Sequence, residues 1–259
     1  MSHRWFLAID VSNTQTAVGA FEGEVLRDHW LLQTDPGRTA DEYAVLLQSL
    51  LRRAGSPSIS AVAVASSVPA MLPIVEMLAR KVLHCEPLIV GPGVRTGMPI
   101  LYDKPQEVGA DRIVNAIAAY ARTHRTTIVV DLSTATIFDF ISARGEYVGG
   151  VIAPGLGIAS DALFERTARL FRVELRRPKH VIGRNTVHAI QSGLVYGYVA
   201  LVDGIVERMQ QEAREKAYVL ATGTYAELIA PESATIDEVD PFLTLKGLRL
   251  LYERNKEKG

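Results

Sequence analysis

Cysteine is almost missing from this chain. Cys85 is the only one in 259 residues, so no internal disulfide and no cysteine-based metal cluster can form. The six histidines show no HxxxH spacing that would place two ligands on one helix face. Neither GxSxG nor GxxxxGK followed by Ser or Thr occurs, which leaves the serine-hydrolase and P-loop readings little support. Charge of one sign is scarce too. Twenty-eight Lys and Arg against 29 Asp and Glu leave a net charge of −1, so no broad nucleic-acid surface is expected. The short basic stretch Arg172 to Lys179 contains Glu174 and reads as a solvated loop ahead of a phosphate-binding patch. The N-terminal apolar run stops at Asp10, too short for a signal peptide. No run approaches the roughly 20 apolar residues of a membrane helix. The expectation is a soluble, cytoplasmic protein without a nucleic-acid or membrane partner.

What is present is a pattern used twice. FLAIDVSNTQTAVGAF runs from Phe6 to Phe21, and TIVVDLSTATIFDFIS from Thr127 to Ser142. Each has an apolar run, one aspartate (Asp10, Asp131), a Ser/Thr/Asn loop and a second apolar run. Each is followed by a glycine turn and a glutamate, at Gly23-Glu24 and Gly145-Glu146. One strand–loop–strand unit in two domains, presenting carboxylates and hydroxyls to a shared cleft, is the predicted arrangement.

The rest of the chain fits an α/β duplication. Strands are expected at Trp5–Ile9, Thr16–Phe21, Glu24–Gln33, Ala61–Ala65 and Pro87–Val90, with helices at 39–54, capped by Thr39, and at Pro69–Leu83. A Gly/Pro-rich loop from Gly91 to Pro105 is long enough to point to function. A helix over Gly109–Arg122 joins the halves. Strands at Thr127–Asp131, Thr136–Ile141, Tyr147–Ala153 and Ala217–Ala221 follow. Helices are expected at Ile158–Leu170, Asn185–Arg214 and Pro241–Lys256. A sheet with parallel neighbours binds ligands at the carboxyl ends of its strands, where Asp10 and Asp131 fall.

Several residue groups can carry chemistry. Asp10 with Ser12, Asn13 and Thr14 can form a concavity for phosphate oxygens and hold a magnesium ion, or be an ordinary polar hairpin. Recurrence at Asp131, Ser133, Thr134 and Thr136 favours function. Asp111 either caps the helix after Gly109-Ala110 or serves as a general base, and Arg112 either pairs on the surface or grips a carboxylate. The Gly149-Gly150 and Ala221-Thr222-Gly223-Thr224 segments are further loop candidates, each explicable as a plain turn or cap.

With these residues assembled, the chain resembles the type III pantothenate kinases of the acetate and sugar kinase, Hsc70 and actin superfamily. The resemblance covers nearly the whole length. It rests on Asp10–Thr14, Tyr102 with Gly109–Arg112, Asp131–Thr136, Gly149–Gly155, Gly183–Thr186 with Gln191-Ser192-Gly193, and Asp240–Thr244. It implies two duplicated ribonuclease H-like domains of the actin-like ATPase fold, over residues 1–115 and 116–259, with mixed sheets and a cleft between them. It implies ATP-dependent phosphorylation of pantothenate on the route to coenzyme A, in a cytoplasmic homodimer. By that resemblance Asp111 is the catalytic base. Asp10, Val11, Ser12, Asn13, Thr14, Gln15, Thr16, Ala17 and Thr134 hold ATP. Tyr102, Gly109, Ala110, Asp111 and Arg112 hold pantothenate, with Thr186 reaching it from the partner subunit. Asp131 holds a monovalent cation, potassium or ammonium, and Asp10 holds magnesium, directly or through water. The long helix from Asn185 forms much of the dimer interface.

Three glycines of the family pattern are replaced, by Ser12, Ser133 and Thr224, and Ile137 stands where the pattern has threonine. A serine forced into a left-handed backbone costs roughly 1–2 kcal/mol, whereas a new hydroxyl can donate a compensating hydrogen bond. Two functions are therefore open from the sequence. One is an active pantothenate kinase. The other is a pantothenate-binding dimer with impaired ATP use, acting as sensor or scaffold.

Overall fold

The computed structural model describes residues 4–55, 57–167 and 170–256. The chain opens with three antiparallel strands, β1 (Arg4–Val11), β2 (Gln15–Glu22) and β3 (Val25–Gln33). Then come α1 (Ala40–Arg53), β4 (Ser58–Ser66), α2 (Leu72–Val82), β5 (Pro87–Ile89) and α3 (Ala110–Thr123). The order repeats with β6 (Thr127–Leu132), β7 (Ala135–Ile141), β8 (Tyr147–Pro154), α4 (Leu156–Glu165) and α5 (Thr186–Ala213). The remaining elements are β9 (Tyr218–Thr222), α6 (Ala226–Ile229), β10 (Glu238–Val239) and α7 (Leu243–Lys256).

The strands form two five-stranded sheets, ordered β3-β2-β1-β4-β5 and β8-β7-β6-β9-β10. In each, the central strand runs antiparallel to the next strand in sequence and parallel to the one after the helix. Topology thus repeats element by element, as the doubled motif predicts. Two compact units result. The first takes the chain up to Gly97, then Lys104–Ala118, then everything from Thr244 on; the second takes Met98–Asp103 and Ala119–Leu243.

Burial explains why these segments are strands and helices. Ile128, Val129 and Val130 of β6 are fully buried, the continuous apolar run of a central strand covered on both faces. β3 alternates exposed and half-buried residues, as an edge strand should. In the first unit, Leu7, Ile9, Val62 and Val64 pack under Leu47 and Leu51 of α1 and Val75 and Leu78 of α2. In the second, Ile128, Val130 and Phe138 pack under Leu194, Val195, Val202 and Val206 of α5. Thr39 and Glu42 form a complete capping box at α1. α5 starts at N-cap Asn185 and ends at Arg214, whose φ of 53° is left-handed.

Some boundaries differ from expectation. The first turn after Pro69 is a 3-10 helix to Met71, and α2 follows it. α4 begins at Leu156 and ends at Glu165; positions 168 and 169 of the expected Ile158–Leu170 helix lie outside the described residues. α6 and β10 were not expected, being too short for periodicity to reveal. A further correction concerns α5. By length and composition this 28-residue helix can cross a membrane, with a mean hydropathy of 1.4 over its most apolar window. Half of that window is buried inside the protein, so one face of the helix owes its apolar character to the core.

Candidate active site

Asp10 and Asp131 occupy the same structural position. Each is the penultimate residue of a central strand, at the carboxyl end shared with the parallel neighbour. Asp10 lies opposite Ala17 and Ala65, and Asp131 opposite Ile137 and Thr222. Both are half-buried.

The two hairpin loops differ. After β1 the loop is Ser12-Asn13-Thr14, pinned by the Ser12 N–H donating to the Gln15 carbonyl at 3.0 Å. Asn13, Thr14 and Gln15 are exposed and, with Leu31 to Thr34, line an open cavity of about 530 Å³ in the first unit. Val11 and Thr16 point inward: Val11 is fully buried, and the Thr16 hydroxyl is hydrogen-bonded to that of Thr34 at 2.8 Å. In the run from Asp10 to Ala17, then, Asn13, Thr14 and Gln15 are exposed, with Asp10, Ser12 and Ala17 partly so.

After β6 the loop is only Ser133-Thr134. The Ser133 N–H donates to the Ala135 carbonyl at 3.1 Å, and its hydroxyl donates to Oδ1 of Asp131 at 2.5 Å. Two glycines close on this loop. A Cβ on Gly155 would collide with the Thr134 carbonyl oxygen. A Cβ on Gly223, which has a φ of +93°, would lie 2.5 Å from Asp131 Oδ1 and 2.6 Å from Ser133 Oγ. Only glycine fits a turn that is both left-handed and pressed against a carboxylate.

Outside glycine, positive φ occurs among the described residues only at His84, His124 and Arg214. Ser12, Ser133 and Thr224 therefore carry no left-handed strain. The replaced glycines leave the backbone in ordinary conformations, which removes one ground for expecting a crippled nucleotide loop.

Asp111 and Arg112 lie in the first turn of α3, in the first unit. Asp111 Oδ1 accepts from the Arg112 N–H at 2.9 Å, so the carboxylate folds over its own helix start. Gly109 makes room for this: a Cβ there would sit 2.5 Å from the same oxygen. Arg112 is buried, with 7% of its surface exposed. Tyr102 belongs to the second unit and is placed by the Gly91–Pro105 loop. There the Leu101 N–H donates to the Tyr147 carbonyl, and the Tyr147 N–H to the Pro99 carbonyl, both at 2.8 Å. The Tyr102 ring lies 6.4 Å from that of Tyr147. Thr186 is the exposed first residue of α5, next to Asn185, whose side chain accepts from the His188 N–H.

Sequence reasoning missed the buried pair Tyr147 and Asp139, whose hydroxyl and carboxylate meet at 2.7 Å. It also missed what becomes of the basic stretch. Gln191, Ser192 and Tyr196 of α5 each donate to a carbonyl in the segment before it, at Glu174, Val181 and Pro178. So held, Arg176, Arg177, Lys179, Arg184 and His188 wall a cavity of about 510 Å³. Two of its charges are already matched, Arg176 by Glu174 and Arg177 by Glu232.

Two mixed five-stranded sheets of identical order, each ending in an aspartate beside a hairpin, define the actin-like ATPase fold common to sugar kinases. Solved structures agree. A conserved putative Baf family transcriptional activator from Campylobacter jejuni superposes with a TM-score of 0.61 at 18% identity, over 97% of this chain and 99% of that one. An inorganic polyphosphate/ATP-glucomannokinase from an Arthrobacter species gives 0.51 at 13% identity, over 97% and 99%. These likenesses establish the fold alone. The family follows from sequence: the model for type III pantothenate kinase matches residues 6–208. A type III pantothenate kinase of Syntrophotalea carbinolica is 58% identical over 96% of this chain and 99% of its own length. The chain belongs to the type III pantothenate kinase family.

Proposed function

We propose that this protein transfers the γ-phosphoryl group of ATP to the primary hydroxyl of pantothenate, giving phosphopantothenate and ADP at the entry to coenzyme A synthesis. The observation that carries this is the family match together with 58% identity across nearly the full length. Asp111 accepts the hydroxyl proton as the oxygen bonds to phosphorus and the bridging bond to ADP breaks. Arg112 grips the pantothenate carboxylate beside Gly109 and Ala110, and Tyr102 is a further pantothenate contact on this reading. Thr186 reaches it from a partner subunit. The Asp10–Ala17 hairpin and Thr134 hold the nucleotide.

The donors fit the ions such a kinase uses. Asp10 is a half-buried carboxylate beside polar loop residues, suited to magnesium, directly or through water. Asp131 and Ser133 offer two hard oxygens side by side, suited to potassium or ammonium. When bound, these cations offset phosphate charge; the protein's own part is to orient the hydroxyl and carry the proton.

A homodimer is part of the proposal. On α5, Ala189, Gly193, Gly197 and Ala200 are exposed along one stripe, and a Cβ on Gly193 or Gly197 would meet nothing within 4 Å. A second helix can approach such a stripe closely. Exposed Ile152, Ile158 and Ile182 of the same unit add apolar surface. Work on a small soluble metabolite fits a cytoplasmic enzyme. The test is incubation of the pure protein with pantothenate, ATP, magnesium and potassium. Phosphopantothenate is expected. No turnover, with thermal stabilisation by pantothenate alone, would favour the sensor dimer instead.

A further inference from the structure

Around Asp131 a hydroxyl has changed sides. The family pattern has glycine at position 133 and threonine at position 137; this chain has Ser133 and Ile137. Ile137 is the direct cross-strand partner of Asp131. Directly opposed residues of an antiparallel pair place their side chains on the same face, about 5 Å apart at Cβ. A threonine there would stand beside the carboxylate, whereas isoleucine has no hydroxyl to give it. Ser133 restores one from the other flank, donating to Oδ1 at 2.5 Å.

That hydroxyl is not a loose surface rotor. The two-residue loop fixes the Ser133 backbone through its hydrogen bond to the Ala135 carbonyl, and Gly155 seals the loop from behind. A Cβ on Gly223 would collide with the same pair of atoms, Asp131 Oδ1 and Ser133 Oγ. A carboxylate turns broadly about its last torsion when nothing holds it. Here the Ser133 hydrogen bond to Oδ1 restrains it. After donating its proton, the serine oxygen keeps lone pairs beside the carboxylate.

We propose that Ser133 is a positioning residue for Asp131: it fixes the carboxylate plane and adds a second side-chain oxygen to the monovalent-cation site, replacing a hydroxyl lost at position 137. The inference rests on the reading of Asp131 as the cation ligand, and the experiment separates the two. Four variants are compared with the wild-type enzyme: Ser133→Ala, Ser133→Gly, the double variant Ser133→Gly/Ile137→Thr, and Asp131→Asn. Each is titrated with potassium at constant ionic strength. One readout is activity; the other is the melting temperature without substrates, potassium against choline.

Ser133→Ala and Ser133→Gly should need about tenfold more potassium for half-maximal activity, the scale of one charge-assisted hydrogen bond. They should lose most of the potassium-induced rise in melting temperature. The Michaelis constant for pantothenate at saturating potassium should stay within about twofold, since the residue acts through Asp131. The double variant should return towards wild type on both readouts. Ser133→Gly restores the family's own residue and so guards against a folding defect. If Ser133→Ala titrates as wild type, or binds potassium more tightly, while Asp131→Asn loses the response, Ser133 is idle and the cation site stands. If Asp131→Asn also titrates as wild type, the cation reading fails and this inference falls with it.

Discussion

The two hairpins share a strand position and an aspartate, yet one is open and the other is clamped. The loop after Asp10 has three residues and an exposed tip beside a cavity of about 530 Å³. The loop after Asp131 has two residues, sealed by Gly155 and overlaid by Gly223. The parallel neighbour compensates. In the first unit the residue just beyond β4, Ser67, donates to the carbonyl of Val11 at 2.9 Å. In the second the equivalent bond to Leu132, also 2.9 Å, comes from Tyr225, further past the end of β9, and Gly223 fills the detour. Trading loop length between two adjacent turns converts an open loop beside a cavity into one that holds a carboxylate. Duplication supplied the scaffold, and the turns divided the labour.

Breaking one half at a time tests this division. The largest effect is expected on the first unit's chemistry. Asp111→Asn should lower kcat by about 10²-fold or more, the usual contribution of a general base, while pantothenate still stabilises the protein thermally. A variant with wild-type turnover would remove Asp111 from that role. Next is the clamp. Gly223→Ala places a Cβ against Asp131 Oδ1 at a left-handed φ and should cost about 2 kcal/mol or more, read by urea unfolding. Asn13→Ala, in the open loop, should cost less than about 0.5 kcal/mol. Equal losses would erase the contrast between open and clamped.

Smaller again is Thr39→Ala, which removes the capping box of α1. The expected loss is about 1 kcal/mol, with faster amide exchange confined to the first unit. The mildest test is acid. Burial alone would push the Asp203 carboxyl up, but hydrogen bonds from Ser233, Ala234 and Thr235 outweigh it and hold it below its ordinary value. A depressed folded value gives stability that is complete above the unfolded value and is lost as pH falls through the folded one. Asp203→Asn should flatten that acid slope, with exchange rising first in the second unit. An unchanged slope would show that the Asp203 brace contributes nothing.

Much of this was legible in the sequence because the signals were local. The doubled motif predicted both sheets, and the expected bounds of α5, Asn185 and Arg214, are its two cap residues. Thr39 with Glu42 did the same for α1. Non-local features stayed hidden. Nothing in the sequence says that Gly247 presses on Val114, or that Leu245 lies over Gly19, which is what returns α7 to the first unit. The membrane-like character of α5 escaped a search for unbroken apolar runs, since Asp203 and Glu207 interrupt the helix without lowering its apolar average enough. At the site, residue types announced Asp10 and Asp131. That Ser133 turns inward while Asn13 faces out depends on one residue of loop length, and its energetic sign could not be read from the letters alone.

The return of α7 has a bearing on synthesis. The second unit is complete once Leu243 has emerged, but the first still lacks its last segment. Its strands are translated earliest, yet Val114 and Gly19 stay uncovered until Leu245 and Gly247 of α7 have been made. The half made first should be the half that closes last.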